Sequence, residues 1–154
     1  MKVRDLATGK DSDMILEGVA GGAQWGDCST LFYCTEDEAK RPHKVWRHRI
    51  DHAQSQDVCL LTEDDEVFSV GIGKSLTGRL LVAGAGSTET DEWYTIDLEK
   101  GWDAPLTVVQ PRQRGMQYDV DHLGGMPPSP PQPCAVFTVF VGVDNRCPVL
   151  YHTL

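Results

Sequence analysis

Three short strands, each built around one aromatic residue, recur along this chain: AQWGD around Trp25, VFSVGI around Phe68 and QYDVDH around Tyr118. A second set of runs keeps step with them, KVRDLATGK (Lys2 to Lys10), KVWRHRID (Lys44 to Asp51) and EWYTIDLEKG (Glu92 to Gly101). A period of roughly 40 to 50 residues with several short strands per copy is the mark of propeller blades, units that cannot bury their own faces and need a neighbour on each side. The copies are too few to close a ring. The reading is therefore all-β: a partial β-propeller of about two and a half four-stranded antiparallel blades.

The individual strands follow the same order. Lys2 to Leu6 alternates and ends in the turn Ala7-Thr8-Gly9, and Met14 to Val19 reads as the outermost strand of that unit. Ala23-Gln24-Trp25, Leu31 to Cys34, Val45 to Ile50 and Val58 to Leu61 make one whole blade, with the bulky second strand suited to packing on both faces. Val67 to Val70, Arg79 to Val82, Trp93 to Ile96 and Leu106 to Val109 make the next, and Gln117 to Val120 starts a third. Recurring once per repeat, Trp25, Phe68 and Tyr118 are expected to be core wedges between sheets rather than a stacking platform for bases or sugars.

The pattern stops near Gly125. MPPSPPQPC sets five prolines within Pro127 to Pro133, which removes ladder donors and favours an extended polyproline-II segment. Pro127 to Pro130 also has PxxP spacing, the form of ligand that SH3-type partners take. The run AVFTVFVGV (Ala135 to Val143) has strand propensity but is not expected to supply the missing strands of the third blade. The division read from composition is 1–125 as propeller and 126–154 as a Pro-rich, divergent tail.

The net charge of -9 argues against a nucleic-acid surface, which needs clustered Lys and Arg. No run approaches the length of a membrane span, and the amino terminus has no apolar stretch after its basic residues. Cys28, Cys34, Cys59, Cys134 and Cys147 are odd in number, widely spaced and free of any C-x-x-C pair, so reduced thiols and a cytoplasmic location are expected. The acidic run Glu63 to Glu66 reads as a solvated turn.

Few residues suggest chemistry. Gly73-Lys74-Ser75 resembles the end of a phosphate loop, yet Phe68 stands where that loop needs its first glycine and no helix follows, so a polar hairpin loop is expected. His48 and His52 would share a face only on a helix; on a strand they lie about 13 Å apart, and exposed or hairpin histidines are expected instead of a zinc site. Neither Ser75 nor Ser87 lies in G-x-S-x-G, and nothing in the pattern builds the α/β unit that holds such a nucleophile. No catalytic, cofactor-binding or metal-binding residue is assigned.

The stretch LFYCTEDEAKRPHKVWRH (Leu31 to His48) and the longer DVCLLTEDDEVFSVGIGKSLTGRLLVAGAGSTETDEWYTID (Asp57 to Asp97) resemble the amino-terminal propeller of the prolyl oligopeptidase family, nearest its oligopeptidase B branch. The resemblance covers about residues 2 to 122. It rests on Arg41-Pro42 leading into Val45 to His48, the Phe68-x-Val70 strand, and Ser87-Thr88-x-Thr90 before Glu92; His48 to Asp51 departs from that branch, which usually turns through Gly-Thr there. It implies a propeller that caps an α/β-hydrolase domain and limits substrates to short peptides, cleaved in the oligopeptidase B branch after Lys or Arg. The implied partners are that hydrolase domain and peptide substrates, and none of the family's triad positions falls within this chain. Two other readings stay open: a freestanding repeat module in which several copies join into a ring, with the proline segment recruiting a partner, and a small independent β-sandwich.

Overall fold

In the computed structural model the described residues are 1–122, 135–142 and 149–153. They form β1 (Lys2–Arg4), β2 (Asp11–Ile15), β3 (Val19–Trp25), β4 (Thr30–Glu36), β5 (Pro42–Arg49), β6 (Val58–Thr62), β7 (Ser69–Lys74), β8 (Leu80–Gly86), β9 (Asp91–Asp97), β10 (Thr107–Val108), β11 (Met116–His122), β12 (Ala135–Gly142) and β13 (Val149–Thr153). Two 3-10 turns, Gln54–Gln56 and Leu98–Lys100, are the only helical segments described. The sheets are β1-β2, β3-β4-β5-β6, β7-β8-β9-β10 and β11-β12-β13, every pairing antiparallel between strands consecutive in the chain. This is the meander of propeller blades: one two-stranded unit, two complete blades and a third three-stranded sheet.

Alternation explains how the sheets stack. On β4, Leu31 and Tyr33 pack with Leu16, Met14 and Ile50 against the β1-β2 unit, whereas Phe32 and Cys34 face the second blade. On β8, Leu81, Ala83 and Ala85 face the first blade, whereas Leu80 and Val82 pack on Tyr118 and Val120 of β11. Both second strands thus read as continuous apolar runs because each is buried on its two faces. Fully burying one such Leu or Phe is worth about 1.5–3 kcal/mol, so the seams carry the stability and no blade carries its own.

Glycine sets two local details. Gly21 and Gly22 have φ of 73° and 122°, and the β3–β4 register shifts between Val19 and Ala23, so a bulge extends the inner strand well before the Ala23 expected from sequence. A Cβ on Gly84 would lie 2.7 Å from the Trp93 ring, which means the indole lies directly on the β8 backbone.

Several sequence expectations are corrected. Ala135–Gly142 pairs along the whole of Met116–His122, and Val149–Thr153 pairs with it in turn, so the tail does supply second and third strands to the third sheet. Strand propensity and an open edge on β11 suffice for this; no repeat match is needed. The second blade's inner strand begins at Ser69 and runs through Lys74, beyond the Val67 to Val70 expected. The polyproline and PxxP readings at 127–133 lie outside the described residues.

Candidate functional site

The chemistry-bearing side chains collect at the seams between sheets. At the first seam His48, on β5 opposite Leu31, is fully buried. Its Nδ1 lies 2.6 Å from Asp57 Oδ1 and its Nε2 2.8 Å from the Met14 sulfur. Asp57 Oδ2 accepts from the Tyr33 hydroxyl at 2.7 Å, Tyr33 accepts from Gln54 Nε2 at 3.1 Å, and Gln54 pairs with both backbone groups of Glu17. Burial, and then the hydrogen bond to Asp57, push the Tyr33 phenol well above its ordinary range. His48 is therefore not an exposed histidine as sequence suggested but a buried one within the β4–β5 hairpin, and it ties the β1-β2 unit to the first blade. His52 is exposed beside Asp51, 3.8 Å away.

The second seam is clasped by arginines. Arg41 Nε donates to Asp37 at 2.9 Å, while its Nη1 donates to the carbonyls of Asp65 (2.8 Å) and Phe68 (2.6 Å) and its Nη2 to that of Glu63 (3.2 Å). This fixes the crossover from β6 to β7. Arg112, in the following crossover, reaches back over the Phe68 ring (3.7 Å to the centroid), pairs with Glu63, and bonds Glu92 Oε2 at 3.1 Å. Burial acts to lower the Arg112 pKa, but the two carboxylates outweigh it and hold the guanidinium above its ordinary value. Glu63 is thus buried and ion-paired, a correction to the solvated turn expected for Glu63 to Glu66; Asp64, Asp65 and Glu66 do face solvent. Further along the same seam Arg47 is buried, stacks 4.8 Å from the Trp102 centroid and donates to the Ala104 carbonyl at 3.0 Å.

At the third seam the Trp93 backbone N–H donates to the Tyr118 hydroxyl (3.0 Å), its indole N–H to the Tyr118 carbonyl (2.5 Å), and Tyr118 donates to the Gln110 carbonyl (2.8 Å). Beside this junction a cleft of about 490 Å³ opens between β7 and β11, with Lys74, Asp91, Asp119 and Asp121 among its walls.

Of the three aromatic wedges, Phe68 and Tyr118 are buried as expected, but Trp25 is 42% exposed. It pairs with Leu31 and so faces the first seam, where the β1-β2 unit covers Leu31 and His48 further out and leaves the inner end open. Ser75 Oγ accepts the Leu80 N–H and lies 3.2 Å from Thr77 Oγ1; Ser87 Oγ serves the turn to Thr90. Neither meets an imidazole, so both are turn hydroxyls. Gly73 and Lys74 end β7 and lead into a hairpin. Cys28 and Cys59 are exposed free thiols, and burial pushes Cys34 up to about 11. Sequence reasoning singled out neither Arg112 nor Asp57. Each sits in a polar connection, and its partner lies on another strand or sheet with no spacing to mark it.

A sequence model of one family, described as "Prolyl oligopeptidase, N-terminal beta-propeller domain", matches residues 1–127. The chain belongs to the prolyl oligopeptidase family. It is 34% identical over 123 residues to Protease 2 of Moraxella lacunata and 29% identical over 126 residues to dipeptidyl aminopeptidase BI of Pseudoxanthomonas mexicana, covering 78% and 80% of this chain. Among solved structures, oligopeptidase B from Trypanosoma brucei with covalently bound antipain superposes with a TM-score of 0.75 at 37% identity, over 90% of this chain and 19% of that one. Oligopeptidase B from Leishmania major gives 0.74 at 33% identity, over 88% and 18%. The chain spans less than a fifth of the curated relatives, 18% and 17% of their lengths. What it holds is part of the N-terminal propeller of an oligopeptidase B-like or prolyl-oligopeptidase-like peptidase. No helix among the described residues is long and apolar enough to cross a membrane.

Proposed function

We propose that this chain is the part of an oligopeptidase B-like serine endopeptidase that restricts access to the active site, with the Ser, Asp and His of the triad carried by an α/β-hydrolase domain outside it. The observation that carries this reading is the seam architecture: two complete blades whose seam side chains His48, Asp57, Arg41, Glu63 and Arg112 are spent on holding sheets and crossovers together. Such a rigid wall suits excluding large substrates and offers no activated nucleophile. The substrates of the whole enzyme would be short peptides cleaved after Lys or Arg, the partner the hydrolase domain, and the location the cytoplasm, as the free thiols at Cys28, Cys34 and Cys59 favour. Within the same proposal, residues 1–125 are the propeller portion and 126–154 a divergent segment.

The test is a graft. Residues 2–122 replace the matching segment of the Leishmania major oligopeptidase B. The reading expects a chimera that still cleaves short arginyl peptides and still spares folded proteins. A well-folded chimera that digests folded proteins freely would overturn the gating role.

A further inference from the structure

Among the described residues six buried side-chain polar atoms make no hydrogen bond, and three of them share one patch: Thr30 Oγ1, Arg47 Nε and Arg49 Nε. Arg49 lies opposite Thr30 and Arg47 opposite Phe32 across the β4–β5 ladder, so all four side chains stand on the face turned to the second blade. Trp102, in the segment between β9 and β10, meets this patch from the second blade. The Arg47 and Arg49 guanidiniums lie 4.8 and 5.2 Å from its ring centroid. Two cations thus share one indole at this end of the second seam.

Their charge is poorly answered. Arg4, Arg41, Arg79 and Arg112 each donate to a carboxylate, the first three at 2.6, 2.9 and 2.7 Å. Arg47 donates instead to the Ala104 carbonyl, and the Asp51 carboxylate stands 3.7 Å from Arg49 Nε, too far for a hydrogen bond, on a side chain 71% exposed. Arg47 is 7% exposed; burial lowers its pKa, and the exposed Asp103 answers it through space alone. Asp27, in the β3–β4 turn, commits its Oδ1 to the Ser29 N–H and hydroxyl; it feels the Thr30 hydroxyl, which nevertheless makes no well-formed hydrogen bond. The indole face eases each cation but accepts no in-plane N–H. A buried cation without a bonded partner is costly, and a like charge beside it on the same strand face adds to the cost.

What satisfies such a group of donors is a compact acceptor with several oxygens and a negative charge. Guanidinium forks match carboxylate and phosphate oxygens two at a time, and the Thr30 hydroxyl supplies a further donor. The aspartates at the rim are tethered to their own turns outside hydrogen-bond distance. Arg49, with 39% of its side chain exposed, gives the way in from solvent.

We propose that Arg47, Arg49 and Thr30, beside the Trp102 indole, form a site for a small oxyanion of the phosphate or carboxylate class. The inference is independent of the peptidase reading, since neither a peptide substrate nor a catalytic domain enters it.

Buried Nε–H protons exchange slowly with water, so the arginine side-chain NMR signals of the isotope-labelled whole chain report the site directly. Titration with inorganic phosphate, and separately with acetate, is run at an ionic strength held constant with sodium chloride. The expected result is that the Arg47 and Arg49 Nε–H signals move together and saturate, while that of Arg41 stays in place. Arg49→Gln, at a partly exposed position, should weaken binding about ten-fold through loss of one charge-assisted pair, with circular dichroism unchanged. Saturation by phosphate, by acetate or by both upholds the site and identifies the oxyanion class it takes. Shifts that grow linearly with every salt, chloride included, overturn it; so does saturation at unchanged affinity in Arg49→Gln. Should Arg49→Gln misfold, titration of the unaltered chain decides alone.

Discussion

Replacing Arg112 by Met separates a seam held by buried charge from one decorated with surface ion pairs. Glu63 is 9% exposed at its side chain and Arg112 28%, and the guanidinium also covers Phe68 and bonds Glu92. Removing the cation strands a buried carboxylate, which costs about 3–5 kcal/mol, against about 0–1 kcal/mol for an exposed pair. Glu63→Gln keeps an acceptor for the Asp65 N–H and leaves Arg112 its bond to Glu92, so about 1–2 kcal/mol is expected. In the double variant no charge is stranded at position 63, and the loss should fall short of the summed single losses by at least about 1.5 kcal/mol. Urea unfolding followed by tryptophan fluorescence measures all three, and a domain of this size has stability of roughly 5–15 kcal/mol against which to read them. Additivity within about 0.5 kcal/mol, or a single loss for Arg112→Met under 1 kcal/mol, would refute the reasoning.

Gly84→Ala places a methyl 2.7 Å from the Trp93 ring and should cost about 1–3 kcal/mol in the same assay, with a blue-shifted or quenched indole signal marking the displaced ring. At pH 8 a maleimide should label Cys28 and Cys59 on the order of a hundred-fold faster than Cys34, whose burial raises it to about 11; peptide mapping gives the order, and equal rates would contradict it. The hydrogen bonds from Arg79 hold the Asp97 carboxyl below its ordinary range, and the backbone N–H of Arg41 does the same for Asp37. Both folded values lie below the unfolded one, so the stability they add is complete above about pH 4 and is lost as pH falls through the folded values. Asp97→Asn should flatten the acid limb of a stability-against-pH curve and leave its shape above pH 5 alone.

The strand order was legible because blade grammar is local: alternation, turns and a repeated aromatic strand mark each unit before any tertiary contact is known. The doubly buried second strand of the first blade announced itself in LFYC, since a strand covered on both faces tolerates an unbroken apolar run; LLVA of the next blade follows the same rule in the structure. What stayed hidden was whatever depends on a neighbouring sheet. Trp25 reads like Phe68 and Tyr118, yet its exposure follows from how little the β1-β2 unit covers. Glu63 sits in an acidic run that resembles any solvated turn; only Arg112, 49 positions away, draws it inward. His48 looked like a surface histidine because the carboxylate and thioether that enclose it come from Asp57 and Met14, on segments with no pattern linking them. Pairing of Ala135–Gly142 with β11 escaped notice for a related reason, as an edge strand accepts a partner by backbone geometry and leaves no sequence rule behind.

Under the proposed function, the groups that would carry out hydrolysis lie outside this chain. Hydrolysis of a chromogenic arginyl amide by the purified chain measures it directly. The predicted rate equals that of buffer and does not change with Ser75→Ala or Ser87→Ala. Turnover above buffer that either substitution abolishes would place a nucleophile within these blades and contradict the account.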